Sequence, residues 1–160
     1  MDSKQISLSK IINVYNNLGK IEMSEIDLDD DLQHDLHRML EALESSTDLE
    51  GTALVTKTGL RIASSTHART DVDQHSASPA TLVSLASKVS EGLNYGKLNQ
   101  IVITGEDGYT IITTSDESQF MLLSHSKRIS KLGYYFYRLS KYFTKLTDLL
   151  SNIAIGEGNY

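Results

Sequence analysis

The sequence predicts an α/β protein of the α+β type, in which five short strands are interleaved with helices in the order α-β-β-α-β-β-β-α, with one further helix ahead. Three observations carry that expectation. Segments with apolar residues at three- and four-residue spacing flank segments of short β-branched and aromatic runs. Asp-Gly, Thr-Gly and Ser-Asp pairs punctuate the latter where tight turns are needed. The 160 residues include no Cys and a single Pro, so few prolines interrupt either period and no disulfide framework or thiolate metal site competes as an organising principle.

The first periodic segment, Lys4 to Leu18, places Leu8, Ile11, Ile12, Tyr15 and Leu18 on one side of a helix, with Gly19 as its stop. Residues 21–31 turn acidic and lose period, as a linker does. Asp29, Asp30 and Asp31 then supply the negative charge that suits a helix N-terminus. Leu28, Leu32, Leu36, Met39, Leu40 and Leu43 form the apolar stripe of a helix ending near Glu44 or Ser45. From Gly51 the period changes to that of two strands, Thr52 to Lys57 and Leu60 to Ser65, joined at Thr58-Gly59. The polar stretch Thr66 to Ser78 is a loop, with Ser78 expected as a cap and Pro79 as first residue of a helix running to about Tyr95 and ended by Gly96.

That central helix carries Leu82, Val83, Leu85, Ala86, Val89 and Leu93, an apolar set broader than one stripe, with small residues Ala86, Ser87, Ser90 and Gly92 among them. Such a helix can bury one side on a sheet and another on a partner helix. Leu98 to Thr104, Tyr109 to Thr114 and Gln119 to Ser124 follow as an antiparallel meander. The last helix has the cleanest period: Ile129, Leu132, Phe136, Leu139, Phe143, Leu146, Leu150 and Ile153 alternate steps of three and four. At 1.5 Å per residue it is about 37 Å long, more than one sheet face needs. Its end is therefore a candidate to pair with the N-terminal helix or another subunit, unless the whole stripe lies on its own sheet. Gly156, Gly158 and Asn159 mark a frayed tail.

The ordered set Gly51-Thr52-Ala53-Leu54-Val55, Thr58-Gly59-Leu60-Arg61-Ile62-Ala63, a small-residue helix ending Leu93-Asn94-Tyr95-Gly96, Leu98-Asn99-Gln100-Ile101-Val102-Ile103 and Phe120-Met121-Leu122-Leu123 with Leu132-Gly133 resembles the roadblock (dynein light chain) family, in its prokaryotic small-GTPase-regulator form. The resemblance covers about residues 30–150 and implies a roadblock/profilin-like fold: a five-stranded antiparallel sheet with one long helix on one face and two on the other. It also implies a homodimer formed by pairing third strands and central helices. The expected domain division is 1–27 for the extra helix and acidic linker, 28–150 for the roadblock-like domain and 151–160 for a flexible tail.

Mapped onto this chain, the dimer surface is expected at Leu82, Leu85, Ala86, Val89, Ile101 and Ile103, with the outward Ser84, Ser87, Lys88 and Glu91 meeting a partner. The implied function is a non-enzymatic adaptor that binds a Ras-like small GTPase and scaffolds it or modulates its GTP hydrolysis. Two alternatives remain open: a small-molecule sensor of profilin-like or PAS-like type, and a dynein-type cargo adaptor without GTPase contact.

The residues themselves favour binding over chemistry. His34 and His37 beside Asp30, Asp31 and Asp35 read as solvated side chains of an acidic helix, and His67 and His75 as part of a polar loop, so no metal or other cofactor is expected. Ser124, His125 and Ser126 are adjacent in a strand end, where successive side chains point to opposite faces, and no nucleophile elbow or phosphate-cradling loop occurs. An arginine supplied in trans to a GTPase would come from Arg61, Arg69 or Arg128, of which Arg69 has the most freedom. Tyr134 and Tyr137 begin an aromatic stripe that Lys141 interrupts, while Tyr135 and Tyr142 widen the apolar face at the core's edge.

The net charge of −6 is uneven: residues 1–50 hold four Lys/Arg and twelve Asp/Glu, and residues 126–160 hold six and two. An acidic whole argues against nucleic acid, and no apolar run long enough to span a bilayer, nor a secretory leader, is present. A membrane partner is not expected, and the expected location is the cytoplasm.

Overall fold

A computed structural model describes residues 29–65, 77–127 and 132–156. The expected N-terminal helix, the linker up to residue 28, most of the polar loop and Ile129 lie outside the described residues. The elements are α1 (Asp30–Ser45), β1 (Gly51–Thr56), β2 (Arg61–Ser64), α2 (Ala77–Gly92), β3 (Gln100–Thr104), β4 (Tyr109–Thr114), β5 (Phe120–Ser126) and α3 (Leu132–Gly156). Their order is the expected one. The strands make one antiparallel sheet in the order β2-β1-β5-β4-β3, so β2 and β3 are its edges.

Period-two alternation sorts the sheet's side chains between two faces. On one face Leu54, Ile111, Phe120 and Leu122 join the stripes of α1 (Leu32, Leu36, Leu40, Leu43) and α3 (Tyr135, Leu139, Phe143, Leu146, Leu150) in a single buried cluster. On the other, Ala53, Val55, Ile112 and Met121 meet Val83 of α2, with Ala80, Leu82, Leu98, Ile101 and Leu123 packed at the margin. All of β1 is buried because helices cover it on both sides. The lone helix is thus the central one, and the longest belongs to the pair. The α3 stripe, as far as Leu150, rests on its own sheet and on α1. The helix itself runs to Gly156, past the expected boundary at 150.

Helix ends follow from local chemistry. The Asp29 carboxylate accepts from the Asp31 N–H at 3.5 Å, a cap on α1 reinforced by Asp30 and Asp31 in its first turn. At α2 the structure corrects both ends. The helix begins at Ala77, so Ser78 lies within it rather than ahead of it, and Pro79 sits in the first turn, where its missing N–H leaves no helical bond unmade. It ends at Gly92 rather than near Tyr95, because Asn94 takes φ +60°. The Asn94 N–H then donates to the Glu91 carbonyl at 3.1 Å and the Tyr95 N–H to the Ser90 carbonyl at 2.9 Å. This pair of bonds is the Schellman arrangement, with Asn in the left-handed position that glycine more often fills.

Side-chain bonds tie the layers together. The buried Glu44 carboxylate accepts from the Thr52 hydroxyl at 2.8 Å, linking α1 to β1. The Gln100 amide reaches from edge strand β3 to the Phe136 carbonyl of α3 at 3.2 Å and to the Thr113 hydroxyl at 3.2 Å. Tyr135 is a correction to its expected place at the core's edge: it is 2 % exposed, and its hydroxyl donates to the Asp48 carboxylate at 3.1 Å. Beside it, burial pushes the Tyr109 hydroxyl up to about 12.

Candidate interaction surface

The adjacent residues Ser124, His125 and Ser126 are not brought together by the fold. Ser124 is fully buried and its hydroxyl donates to the Ile111 carbonyl at 3.1 Å, Ser126 donates to the Asp48 carbonyl at 2.9 Å, and His125 points to the opposite, exposed side. Among the described residues no group of three or more His, Asp and Glu side chains gathers as a metal set would. His34 is exposed. His37 departs from the solvated reading: its Nδ1 lies 2.9 Å from the Ser64 carbonyl, which requires the hydrogen on that nitrogen, and its Nε2 lies 3.1 Å from the Glu41 carboxylate. It joins α1 to edge strand β2. Arg61 is half-buried in that strand, and Arg69 and Arg128 lie outside the described residues.

The exposed apolar surface is concentrated instead. Among the described residues seven large apolar or aromatic side chains are exposed, and five of them lie on α2, its C-terminal turn or β3: Leu85 (55 %), Val89 (58 %), Leu93 (55 %), Tyr95 (77 %) and Ile103 (44 %). Leu85, Val89 and Leu93 are successive residues at i, i+4 and i+8, which makes one stripe along the helix. Val83 and Ser90 occupy the sheet-facing side, and Leu82 and Ala86, half-buried, bridge the two. Ile101 packs on the second cluster while Ile103, further along the same face of β3, is left open. The outer edge of β3 has no strand beside it among the described residues.

Of the residues expected to face outward, Ser84, Lys88 and Glu91 are exposed on the opposite flank of α2 from the apolar stripe. Ser87 is not outward. It is half-buried on the side of the helix that carries Val83 and Ser90, one turn from each.

Tyr95 was not expected to belong to this surface. The Schellman turn projects it, and the Ser90 hydroxyl, donating to the Gly96 carbonyl at 2.7 Å, holds the turn against the helix. The sequence signal was present: an apolar-Asn-aromatic-Gly run directly after a helix marks a left-handed stop with an aromatic just beyond it.

No helix of the described residues is long and apolar enough to cross a membrane. None of the curated proteins matches the chain. Solved structures do. MglB, a gliding protein of Thermus thermophilus, superposes with a TM-score of 0.64 at 15% identity, covering 85% of this chain and 99% of its own. A Roadblock/LC7 domain from Streptomyces avermitilis gives 0.58 at 17%, covering 80% and 99%. Myxococcus xanthus MglB gives 0.58 at 17%, covering 74% and 94%. An MglB described in a tetrameric arrangement gives 0.65 at 15%, covering 85% and 98%. At such identities these likenesses establish the fold. The family model for the Roadblock/LC7 domain matches residues 36–124, from within α1 into β5 and more than half of the chain; the chain belongs to the Roadblock/LC7 family.

Proposed function

We propose that the protein is a homodimeric, non-enzymatic adaptor that binds a Ras-like small GTPase in the cytoplasm and scaffolds it or modulates its GTP hydrolysis. The observation that carries the dimer is the coincidence of a strand edge that has no neighbour among the described residues with an apolar stripe on the adjacent helix. An edge strand with open N–H and C=O groups is a template for another strand, and exposed apolar surface beside it supplies the area that association requires. A two-fold operation pairing β3 with β3 would bring Leu85, Ala86, Val89 and Ile103 of one protomer to those of the other, with Leu82 and Ile101 bracing them from beneath.

The GTPase reading rests on the family and on the MglB structures among those that share the fold. Ser84, Lys88 and Glu91 form the accompanying polar rim where such a partner is proposed to touch. Ser87, half-buried, supports the rim from the side.

Light-scattering mass of the purified protein, alone and with candidate Ras-like GTPases loaded with GDP or a GTP analogue, tests both halves. The expected result is twice the chain mass alone and a gain only with the GTP form. A monomer indifferent to every nucleotide state would sink both readings. A small-molecule sensor is disfavoured by a specific observation: the space between sheet and helices is filled by Leu36, Leu40, Ile111, Leu122, Leu139 and Leu146, each with no exposed surface.

A further inference from the structure

The outer side of α3 carries an aromatic and cationic row that is open to solvent. Tyr134 (46 %) and Tyr137 (64 %) are exposed there, and the exposed Lys141 and Lys145 continue the row. Arg138, half-buried at its edge, is held in place: its guanidinium donates to the Ser46 hydroxyl at 2.5 Å and lies 5.2 Å from the centre of the Tyr142 ring. The Lys145 ammonium sits 5.2 Å from the same ring centre. None of the three cations forms an ion pair with a carboxylate among the described residues. Tyrosine and arginine are the residue types that most often anchor an interface, and the charge of the row selects a ligand that bears carboxylates.

Spacing narrows the form of that ligand, and neighbouring charge limits its length. Tyr137, Lys141 and Lys145 follow at i, i+4 and i+8, so the row advances about 6 Å per step along the helix. An extended segment advances about 6.6 Å for every two residues and turns alternate side chains the same way. The row therefore matches the pattern apolar-x-acid-x-acid, with the apolar side chain on the Tyr137 ring and one carboxylate at each lysine. From Tyr134 to Lys145 it is about 17 Å long, and the exposed Asp148 stands on the same side of α3 just beyond it. The exposed Asp29, Asp30 and Asp31 lie at the entry to α1, about 24 Å along that helix from the end where the Tyr134 hydroxyl donates to the Ser46 carbonyl at 3.3 Å. On a chain of net charge −6, a bilayer or a polynucleotide would extend past the row and meet repulsion, whereas a short acidic segment stays within it.

We propose that the outer row of α3 is a docking surface for a short, extended acidic segment of a partner protein, with an apolar side chain over Tyr137 and carboxylates at Lys141 and Lys145. The row lies on the opposite side of the sheet from α2, so the assignment is independent of the dimer and of any GTPase.

Titration of the isotope-labelled full chain with the synthetic peptide Phe-Thr-Glu-Thr-Glu, followed by amide NMR, tests it. Saturating shifts are expected from Tyr134 to Lys145, with an affinity that falls about tenfold between roughly 0.05 and 0.5 M salt. In K141E/K145E, two exposed changes, the affinity should drop at least about tenfold while the amides of Leu36 to Leu43 keep their positions. Tyr137→Ala should weaken the same peptide and leave its salt dependence in place. Equal binding of Phe-Thr-Gln-Thr-Gln, shifts confined to α2 or β3, or no shift at millimolar peptide would each overturn the proposal. Sedimentation of the protein with phosphatidylserine vesicles, lost in K141E/K145E, would overturn it in favour of a membrane surface.

Discussion

The two faces of the sheet are built from the same strands and are opposite in completeness. The face under α1 and α3 holds a continuous cluster from Leu32 to Leu150, into which its two helices turn most of their apolar stripes. The face under α2 buries only Ala53, Val55, Val83, Ile112 and Met121, and its helix shows Leu85, Val89 and Leu93 to solvent. Two helices share the first face and can each bury a stripe against the sheet and against one another. One helix alone on the second face has apolar residues on more of its circumference than a sheet can cover. The contrast teaches that the first face holds the fold, while the second leaves apolar surface uncovered.

The largest expected effect comes from cutting the first face. Leu139→Ala or Leu36→Ala leaves a cavity where no surface is exposed and should cost about 2–5 kcal/mol, read as a shift of the urea midpoint. Val83→Ala, a smaller deletion in a thinner cluster, should cost about 1–2 kcal/mol. An equal loss at both sites would erase the distinction between the faces.

The opposite pattern is expected in association. Val89→Arg or Ala86→Arg should halve the scattering mass at micromolar protein, a weakening of at least about 2 kcal/mol as for a central interface residue. Tyr137→Ala, on the other side of the sheet, should leave the mass unchanged. A dimer indifferent to Val89→Arg would remove α2 from the interface.

Smaller still is the tie between edge and outer helix. Gln100→Leu should cost about 1 kcal/mol and speed amide exchange around Ser140, since the Phe136 carbonyl loses its cross-layer donor. Exchange unaltered at Ser140 would show that β3 and α3 move independently.

The finest probe is alkaline titration. Because burial raises Tyr109 to about 12 in the folded protein, against the ordinary 10.0, the folded state holds that proton while the unfolded chain has lost it. The contribution is fully present below pH 10 and falls away between pH 10 and 12, with a slope of at most about 1.4 kcal/mol per pH unit. Tyr109→Phe should flatten stability across that window. A slope of the same steepness in the variant would assign it to other groups.

Much of this architecture is legible in the amino-acid order. Element type and sequence follow from local periods of two and 3.6, which are properties of neighbouring residues: Leu32 to Leu43 and Leu132 to Leu150 declare their stripes, and Asp107-Gly108 and Thr58-Gly59 declare their turns. The bounds of α2 were less legible, because the left-handed Asn94 stops the helix before Gly96 is reached. Ser87 looked outward for a related reason: a helix with apolar residues on most sides does not announce which of them the sheet will take.

Only the folded chain decided what lies between elements distant in sequence. The strand order that makes β3 an edge, the pairing of α1 with α3 on one face, the coupling of Gln100 to Phe136 and of Tyr135 to Asp48, and the solvent exposure of Leu85, Val89 and Tyr95 all depend on which surfaces meet after collapse. Local sequence sets backbone conformation and amphipathicity, because these arise from sterics and hydrogen bonding within a few residues. Burial is a competition among all the apolar surfaces of the chain for a limited contact area, and its outcome, including the apolar surface left exposed, exists only in three dimensions.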